Sequence, residues 1–520
     1  MLKNKGEQGI TLVALVITII IIIILATVTI NMAFGDNGLI TQAQKAKDMT
    51  ANSIAAEQEG MNSVMSEYLN VMAEDSEITP PDIQEEPYVD SVLPTAPELS
   101  DGMVPVKWNG SNWVRTTADD EEWYDYANKE WANIVLTPES GANAGKDATG
   151  TVDLFNEDGT LNEDSAYTML VWIPRYAYQI TSQYHTSTSS AGNINIVFVD
   201  TSNRNKAGTT TYSTSYPSAT AGGSSGMSSY VVHPAFNYGG TALSGFWVGK
   251  YETSSTGCTT EESTGTSNTN VTTLTPMIKA GVTSWRSIQV SNMFTVCTNM
   301  NSSDNPYGLS TSDSVVDPHM MKNSEWGAVA YLSQNATYGK GSEVWINNSN
   351  SYITGNAGSS VSASSSSSTD AYDTGNGPQA STTGNTTGVY DMSGGAWEYV
   401  AGYVNNSYAD DYGSTLVSAA AKYKDVYSVG SSDSNTNNYA VSTPANGHYG
   451  DAVYETSSSS DRPYTNSWYS DYSNFPFSGR PFFLRGGYYG NGSDAGVFYF
   501  NCTDGNAYNN RSFRVVLPVL

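Results

Sequence analysis

The residues best suited to chemistry lie near the C-terminal end. Tyr488, Tyr489, Gly490, Asn491, Asp494, Tyr499, Asn501, Cys502, Thr503, Asp504, Asn506, Tyr508, Asn509 and Asn510 fall within Leu484–Leu517, among apolar pieces reading LRGG, AGVF and SFRVVL. The chemistry this mixture offers is recognition. Tyrosine supplies a large amphipathic contact area at low entropic cost, and Ser, Gly and Asn supply adaptable hydrogen bonds. The apolar pieces read as strands or buried strand ends, and the polar residues between them as an exposed face. Catalysis has less to draw on. No nucleophile-elbow motif is present, and the histidines at 185, 233, 319 and 448 are scattered. Cys258, Cys297 and Cys502 form no CxxC, and their odd number leaves no complete disulfide framework. A Cys258–Cys297 bridge and buried thiols both remain open. Tyr390 and Asp391 with Glu398 can be read as an acid pair, but a solvated or hydrogen-bonding turn explains them more simply.

The rest of the chain must hold and present that segment. Its 520 residues suffice for one large domain with appendages, or for two to three domains. The net charge of -28 excludes nucleic acid as a partner, because phosphate binding needs clustered Lys and Arg. Only 14% of residues are charged, while Gly, Ser, Thr, Asn and Tyr abound, as in secreted surface proteins. The acidic excess favours solubility.

At the N-terminus, a short polar start carrying Lys3 and Lys5 precedes an apolar run, Ile10–Phe34. As a helix that run reaches roughly 37 Å, enough to span a bilayer. The lysines ahead of it place the remainder outside the cell. No A-x-A cleavage site follows, so an ordinary signal peptide is not expected. Lys5, Gly9, Ile10, Thr11 and Leu12 resemble a type IV prepilin leader. The resemblance implies cleavage after Gly9 by a prepilin peptidase, with Ile10 as the new N-terminus. In that family the fifth mature residue is usually Glu and pairs with a neighbouring subunit. Here it is Ala14. The departure points to a minor or tip subunit, or a membrane-held protein, rather than a major pilin. Residues 39–73 read as a stalk helix, and residues 74–105, acidic and Pro-rich, as a semi-extended linker.

From Val106 to Leu520 strands and loops dominate. Strands are expected at 106–108, 112–115, 168–180, 194–199, 245–253 and 395–404. Helices are expected at 277–293, from the spacing of Ile278, Val282, Trp285, Ile288 and Met293, and at 322–334, with Asn323 or Ser324 as N-cap. These predict an α+β fold. Ser-rich or Tyr/Ser-rich insertions are expected at 254–273, 349–387 and 405–479.

Within this region SGFWVGKYETS (244–254), KNSEWGAVAYLS (322–333), GVYDMSGGAWEYVAG (388–402), FLRGG (483–487) and SFRVV (512–516) together resemble the formylglycine-generating-enzyme-like (sulfatase-modifying-factor) domain. That family is a variant of the C-type lectin fold. The resemblance implies a C-type-lectin-like domain over most of 106–520, with Trp247, Trp326 and Trp397 in its core and a tight turn at Gly394–Gly395. Catalytic members bind copper through a cysteine pair shortly after RGG, where Cys502 here stands alone. Iron-dependent relatives use histidines, and none follows His448. The expectation is therefore no enzyme and no cofactor, although the fold family often accommodates a structural calcium.

Leu484–Leu517 also resembles the variable region of diversity-generating retroelement target proteins. There, error-prone reverse transcription alters template adenines. An AAC codon for Asn becomes Tyr, Asp, Ser, Thr, Gly or Cys by adenine changes alone. Tyr488, Gly490, Asp494, Tyr499, Cys502, Thr503, Asp504 and Tyr508 belong to that set, and Asn491, Asn501, Asn506, Asn509 and Asn510 would be unaltered positions. Arg485–Gly487, Ala495–Phe498 and Ser512–Val516 would be fixed framework. The expected protein is an adhesin held at the cell membrane or on a pilus, alone or with other pilin subunits, whose C-terminal face binds a protein or glycan. A minor pilin-like subunit without its own ligand and a formylglycine-generating-type oxidase are the alternatives.

Overall fold

The computed structural model describes residues 94–217, 226–258, 269–429, 438–458 and 465–520. Gly9, Ile10, the Ile10–Phe34 run, the stalk and most of the linker lie outside the described residues. Among the described residues no helix is long and apolar enough to cross a membrane.

The fold is α+β, with more sheet than helix. In chain order the strands are β1 (Met103–Trp108), β2 (Trp113–Arg115), β3 (Asn133–Leu136), β4 (Met169–Pro174), β5 (Tyr176–Ile180), β6 (Ile194–Phe198), β7 (Val231–Val232), β8 (Asn237–Tyr238), β9 (Thr241–Ala242) and β10 (Gly245–Gly249). Helix α1 (Val290–Thr298), β11 (His319–Met320), helix α2 (Asn323–Gln334), β12 (Trp397–Val404), helix α3 (Ala409–Ser418) and β13 (Asp425–Tyr427) follow. The chain closes with β14 (Thr465–Asn466), β15 (Tyr472–Ser473), β16 (Phe482–Gly486), β17 (Gly496–Thr503), β18 (Arg511–Phe513) and β19 (Val515–Leu517). One seven-stranded sheet runs β11-β19-β10-β4-β3-β1-β2. A second runs β13-β12-β16-β17-β15-β14, with β18 also paired to β12. Smaller sheets join β6-β5-β7 and β8-β9. The buried tryptophans Trp113, Trp131, Trp172, Trp247, Trp285, Trp326 and Trp468 fill the interior.

Several expectations need correction. The strand expected at 168–180 is two strands in different sheets, broken at Arg175. That buried guanidinium donates to the carbonyls of Phe236 (2.7 Å) and Leu243 (3.2 Å) and to Asn203 Oδ1 (2.6 Å). The strand expected to reach 253 ends at Gly249, and the domain begins earlier than 106, because Met103–Pro105 already belong to β1. The helix expected at 277–293 starts only at Val290. Gly281 and Ser287 have positive φ (72° and 59°), which interrupts a helix. The apolar spacing there reflects an extended segment, with Ile278 bridged to Thr168 and Trp285 N–H donating to Thr253 O (2.7 Å). Helix α2 is where expected, but its N-cap is Lys322. The Glu325 carboxylate takes the Lys322 N–H (2.8 Å) and the Asp425 carboxylate takes the Ser324 N–H (2.6 Å), so anions sit at the positive end of the helix. Cys297 is a buried free thiol, so no Cys258–Cys297 bridge forms.

Of the expected insertion at 254–273, residues 259–268 lie outside the described residues, and the described parts of 349–387 and 405–479 mix buried, half-buried and exposed positions. Residues 349–387 are threaded with internal hydrogen bonds, such as Asn348 Nδ2 to Ser364 O (2.6 Å) and Ser381 Oγ to Asn385 O (2.5 Å). Residues 405–479 contribute α3, β13, Trp468, Phe475 and the fully buried Glu455. The Glu455 carboxylate accepts from the hydroxyls of Tyr178 (3.0 Å), Tyr216 (2.7 Å) and Tyr331 (2.9 Å). Those residues come from β5, a loop and α2, so one carboxylate ties three parts of the chain together.

Burial pushes the Glu455 carboxyl up to about 7, against the pull of the donors around it. The folded state therefore takes up a proton between the ordinary carboxylate range and pH 7. The stability due to this group is full at pH 4 and is lost as pH rises through 7, a swing of about 3 kcal/mol. Glu455→Gln is expected to remove that share of the pH dependence. Urea midpoints at pH 5 and pH 8 would then lie closer together than in the parent protein, and an unchanged gap would contradict the assignment.

Candidate functional site

The C-terminal segment folds as two loops around one strand. Residues 487–495 connect β16 to β17, and residues 504–510 connect β17 to β18. The start of β12 runs between the loops, since β12 pairs antiparallel with β16 and parallel with β18. Backbone bonds fix this arrangement. Tyr489 N–H donates to Gly395 O (2.9 Å), Trp397 N–H to Asn510 O (3.0 Å), Ser287 N–H to Tyr508 O (2.9 Å) and Val290 N–H to Gly505 O (3.1 Å).

The tight turn at Gly394–Gly395 is as expected, with φ of 82° and 67°. A Cβ on Gly395 would collide with the Glu252 carboxylate, which also accepts the Ala396 N–H (2.8 Å). Asp391 is a hydrogen-bonded turn residue, buried rather than solvated. Its carboxylate accepts from Asn347 Nδ2 (2.8 Å) and Gly355 N–H (2.9 Å), and burial pushes its pKa up. Burial, with the Asp391 charge adding to it, pushes the Glu398 carboxyl up to about 7 against the pull of Arg514. Both Glu398 oxygens accept from Arg514, at 3.0 Å from Nε and 2.5 Å from Nη2. Arg514 also donates to the carbonyls of Gly249 (2.7 Å) and Tyr390 (2.9 Å). It stands where the chain passes from β18 in the second sheet to β19 in the first.

On this frame Gly490 and Asp494 are exposed, and Tyr488, Tyr489 and Asn491 are half-buried. Asn491 Oδ1 accepts the Tyr488 N–H (2.9 Å) and shapes the first loop. A side chain at 490 would meet the Tyr488 ring, so exchange there moves that ring. In the second loop Asp504 accepts from Asn506 N–H (3.1 Å) and the Tyr508 hydroxyl (2.9 Å). The Arg511 guanidinium lies 3.7 Å from the Tyr508 ring centroid. Asn509 and Asn510 bind scaffold through their carbonyls, to Arg286 and Trp397 respectively.

Tyr499, Cys502 and Thr503 are placed differently. They lie in β17 with 1%, 3% and 2% of their surface exposed. Cys502 is thus not a thiol on a surface loop. Asn474 Nδ2 lies 3.2 Å from its sulfur. Tyr499 supports the face from below, its hydroxyl accepting from Trp397 Nε1 (2.9 Å) and Asn501 Nδ2 (3.0 Å).

Trp397 is the main residue that sequence reasoning misplaced. It is not core like Trp247 and Trp326 but half-buried on the face, where its ring meets that of Tyr488 at 4.3 Å. Tyr352 and Arg286 were not anticipated. Tyr352 is an aromatic residue inside a Ser/Asn-rich run, which is the one signal that could have drawn attention to it. Among the described residues no group of three or more His, Cys, Asp or Glu is placed to hold a metal ion. The chain matches no protein-family model and no curated protein sequence.

Proposed function

We propose that this chain is a surface-displayed binding protein, anchored in the membrane or on a pilus, whose ligand face is formed by residues 487–495 and 504–510 and is diversified by a retroelement. In this reading a C-type-lectin-like scaffold carries the face and the prepilin-like N-terminus carries the scaffold. One observation supports it most. The two loops are tied to the scaffold by main-chain bonds at Tyr489, Gly505, Tyr508 and Asn510, while among the adenine-reachable positions Gly490, Asp494 and Tyr508 are exposed and Tyr488 and Asp504 half-buried. A recognition surface that changes its side chains needs that separation.

The test is the sequence of sibling genes and of the neighbouring DNA. Substitutions are expected to concentrate at Tyr488, Gly490, Asp494, Asp504 and Tyr508, beside a near-copy of this segment and a reverse-transcriptase gene. Tyr499, Cys502 and Thr503 should accept only residues that fit a buried site. Substitutions spread evenly over the domain, or the lack of any template copy, would overturn the reading.

A further inference from the structure

Aromatic rings from three separate parts of the chain form a continuous row on this face. Tyr352 meets Tyr489 at 4.9 Å and 77°, Tyr489 meets Tyr488 at 5.0 Å and 62°, and Tyr488 meets Trp397 at 4.3 Å and 35°. All these rings are half-buried, and the Arg286 guanidinium lies 4.0 Å from the Tyr352 ring centroid, so the surface left for a partner lies mainly on Tyr489, Tyr488 and Trp397. Tyr488 and Tyr489 belong to the segment expected to vary. Tyr352 and Trp397 are supplied by the scaffold.

We propose that this row binds a neutral glycan, with sugar rings packed on the aromatic surfaces and hydroxyls bonded by polar groups of the loops that border it. The proposal rests on the reading of this face as a ligand site and names the class of ligand. A pyranose ring has C–H faces that pack against a π surface and a rim of hydroxyls that need donors and acceptors. A row of Tyr and Trp bordered by polar loop groups meets both needs. The rings already brace one another, so they lose little freedom when a ligand arrives.

Charge and exposure narrow the choice further. The net charge of -28 disfavours a polyanionic ligand. The charges nearest the second loop are already engaged, Asp504 with Tyr508 and Arg511 with the Tyr508 ring. A protein partner of standard interface size would need a broad apolar centre that extends beyond the row itself. Among the described residues the exposed large apolar or aromatic side chains are Val315, Tyr408, Val429, Tyr508 and Leu520. Of these only Tyr508 belongs to the face, and Arg511 already covers its ring.

The experiment uses the full-length protein in detergent micelles. It is passed over immobilised neutral oligosaccharides of glucose, galactose, mannose and N-acetylglucosamine, and positives are titrated by tryptophan fluorescence. Binding to at least one is expected. Tyr488→Ala and Tyr352→Ala should each weaken it by about tenfold or more, as for anchor residues of a binding surface. Tyr408→Ala, exposed elsewhere, should leave it unchanged. Melting curves of each variant separate a lost site from a lost fold, and Tyr352 lies outside every strand and helix. If none of these oligosaccharides binds, or binding survives both substitutions, the proposal is overturned. A null result with glycans beside siblings that do vary at the listed positions removes the ligand class alone. Siblings that do not vary there remove the diversified-display reading whatever the glycans do.

Discussion

Arg514→Ala is expected to destabilise the protein by about 3–5 kcal/mol, because it strands a buried carboxylate without its cation. Arg514 and Glu398 are both fully buried, and the guanidinium bonds both oxygens of the carboxylate and the carbonyls of Gly249 and Tyr390. Those carbonyls belong to β10 and to the turn before β12, so one side chain joins both large sheets. Glu398→Ala takes the two-oxygen partner away from the buried guanidinium, leaves it the weaker interaction with Asp391 and Glu252, and should cost less than Arg514→Ala. Replacing both residues together by leucine and methionine should cost less than the sum of the single changes, since neither member of the pair is then buried without the other. Urea denaturation of the single and double variants measures this. Additive losses would show that the pair does not act as a unit.

The second large effect is expected at Lys250. Its ammonium is buried and donates to Asn133 Oδ1 (2.9 Å), Thr386 O (2.7 Å) and Gly388 O (2.8 Å), using all its hydrogens. It also lies 4.8 Å from the Trp113 ring centroid and 5.4 Å from that of Tyr390. Burial pushes its pKa well below that of an exposed lysine, and these acceptors offset that cost. Each acceptor left without a donor costs roughly 1–3 kcal/mol, so Lys250→Ala should lose about 3–5 kcal/mol once the cavity is included. Lys250→Met keeps most of the volume and should lose less, while remaining clearly below the parent in melting temperature. Equal stability of Lys250→Met and the parent would refute this account of the ammonium.

What could be read from the sequence was mostly local. The pieces LRGG, AGVF and SFRVVL are strands or strand ends because apolar runs between turn residues have few other options. Their partners were not readable. Glu398 and Arg514 are 116 positions apart, and nothing in either neighbourhood announces the other. Polar composition misled in the opposite direction. Ser, Thr and Asn around 348–387 bond nearby backbone, so a segment that looked like solvated insertion carries its own internal bonds and buries part of its length. Apolar spacing misled at 277–289, where an irregular segment enclosed by its neighbours mimics one face of a helix. For the proposed face, composition marked stretches that include the loops 487–495 and 504–510. It could not separate Tyr499, pinned in β17, from Tyr488, which lies against Trp397, because burial depends on the neighbouring chain.

The loops of the face are joined to the scaffold through atoms shared by almost every amino acid. The carbonyls of Asn510 and Tyr508 do the accepting, and the N–H of Tyr489 does the donating. Exchanging the side chains at 508 or 510 leaves those bonds in place, and at 489 only proline, which has no N–H, removes one. Folding and specificity are thereby written in separate alphabets. The main chain records where the loops go, and under the proposed function the exposed side chains could change without renegotiating the architecture beneath them.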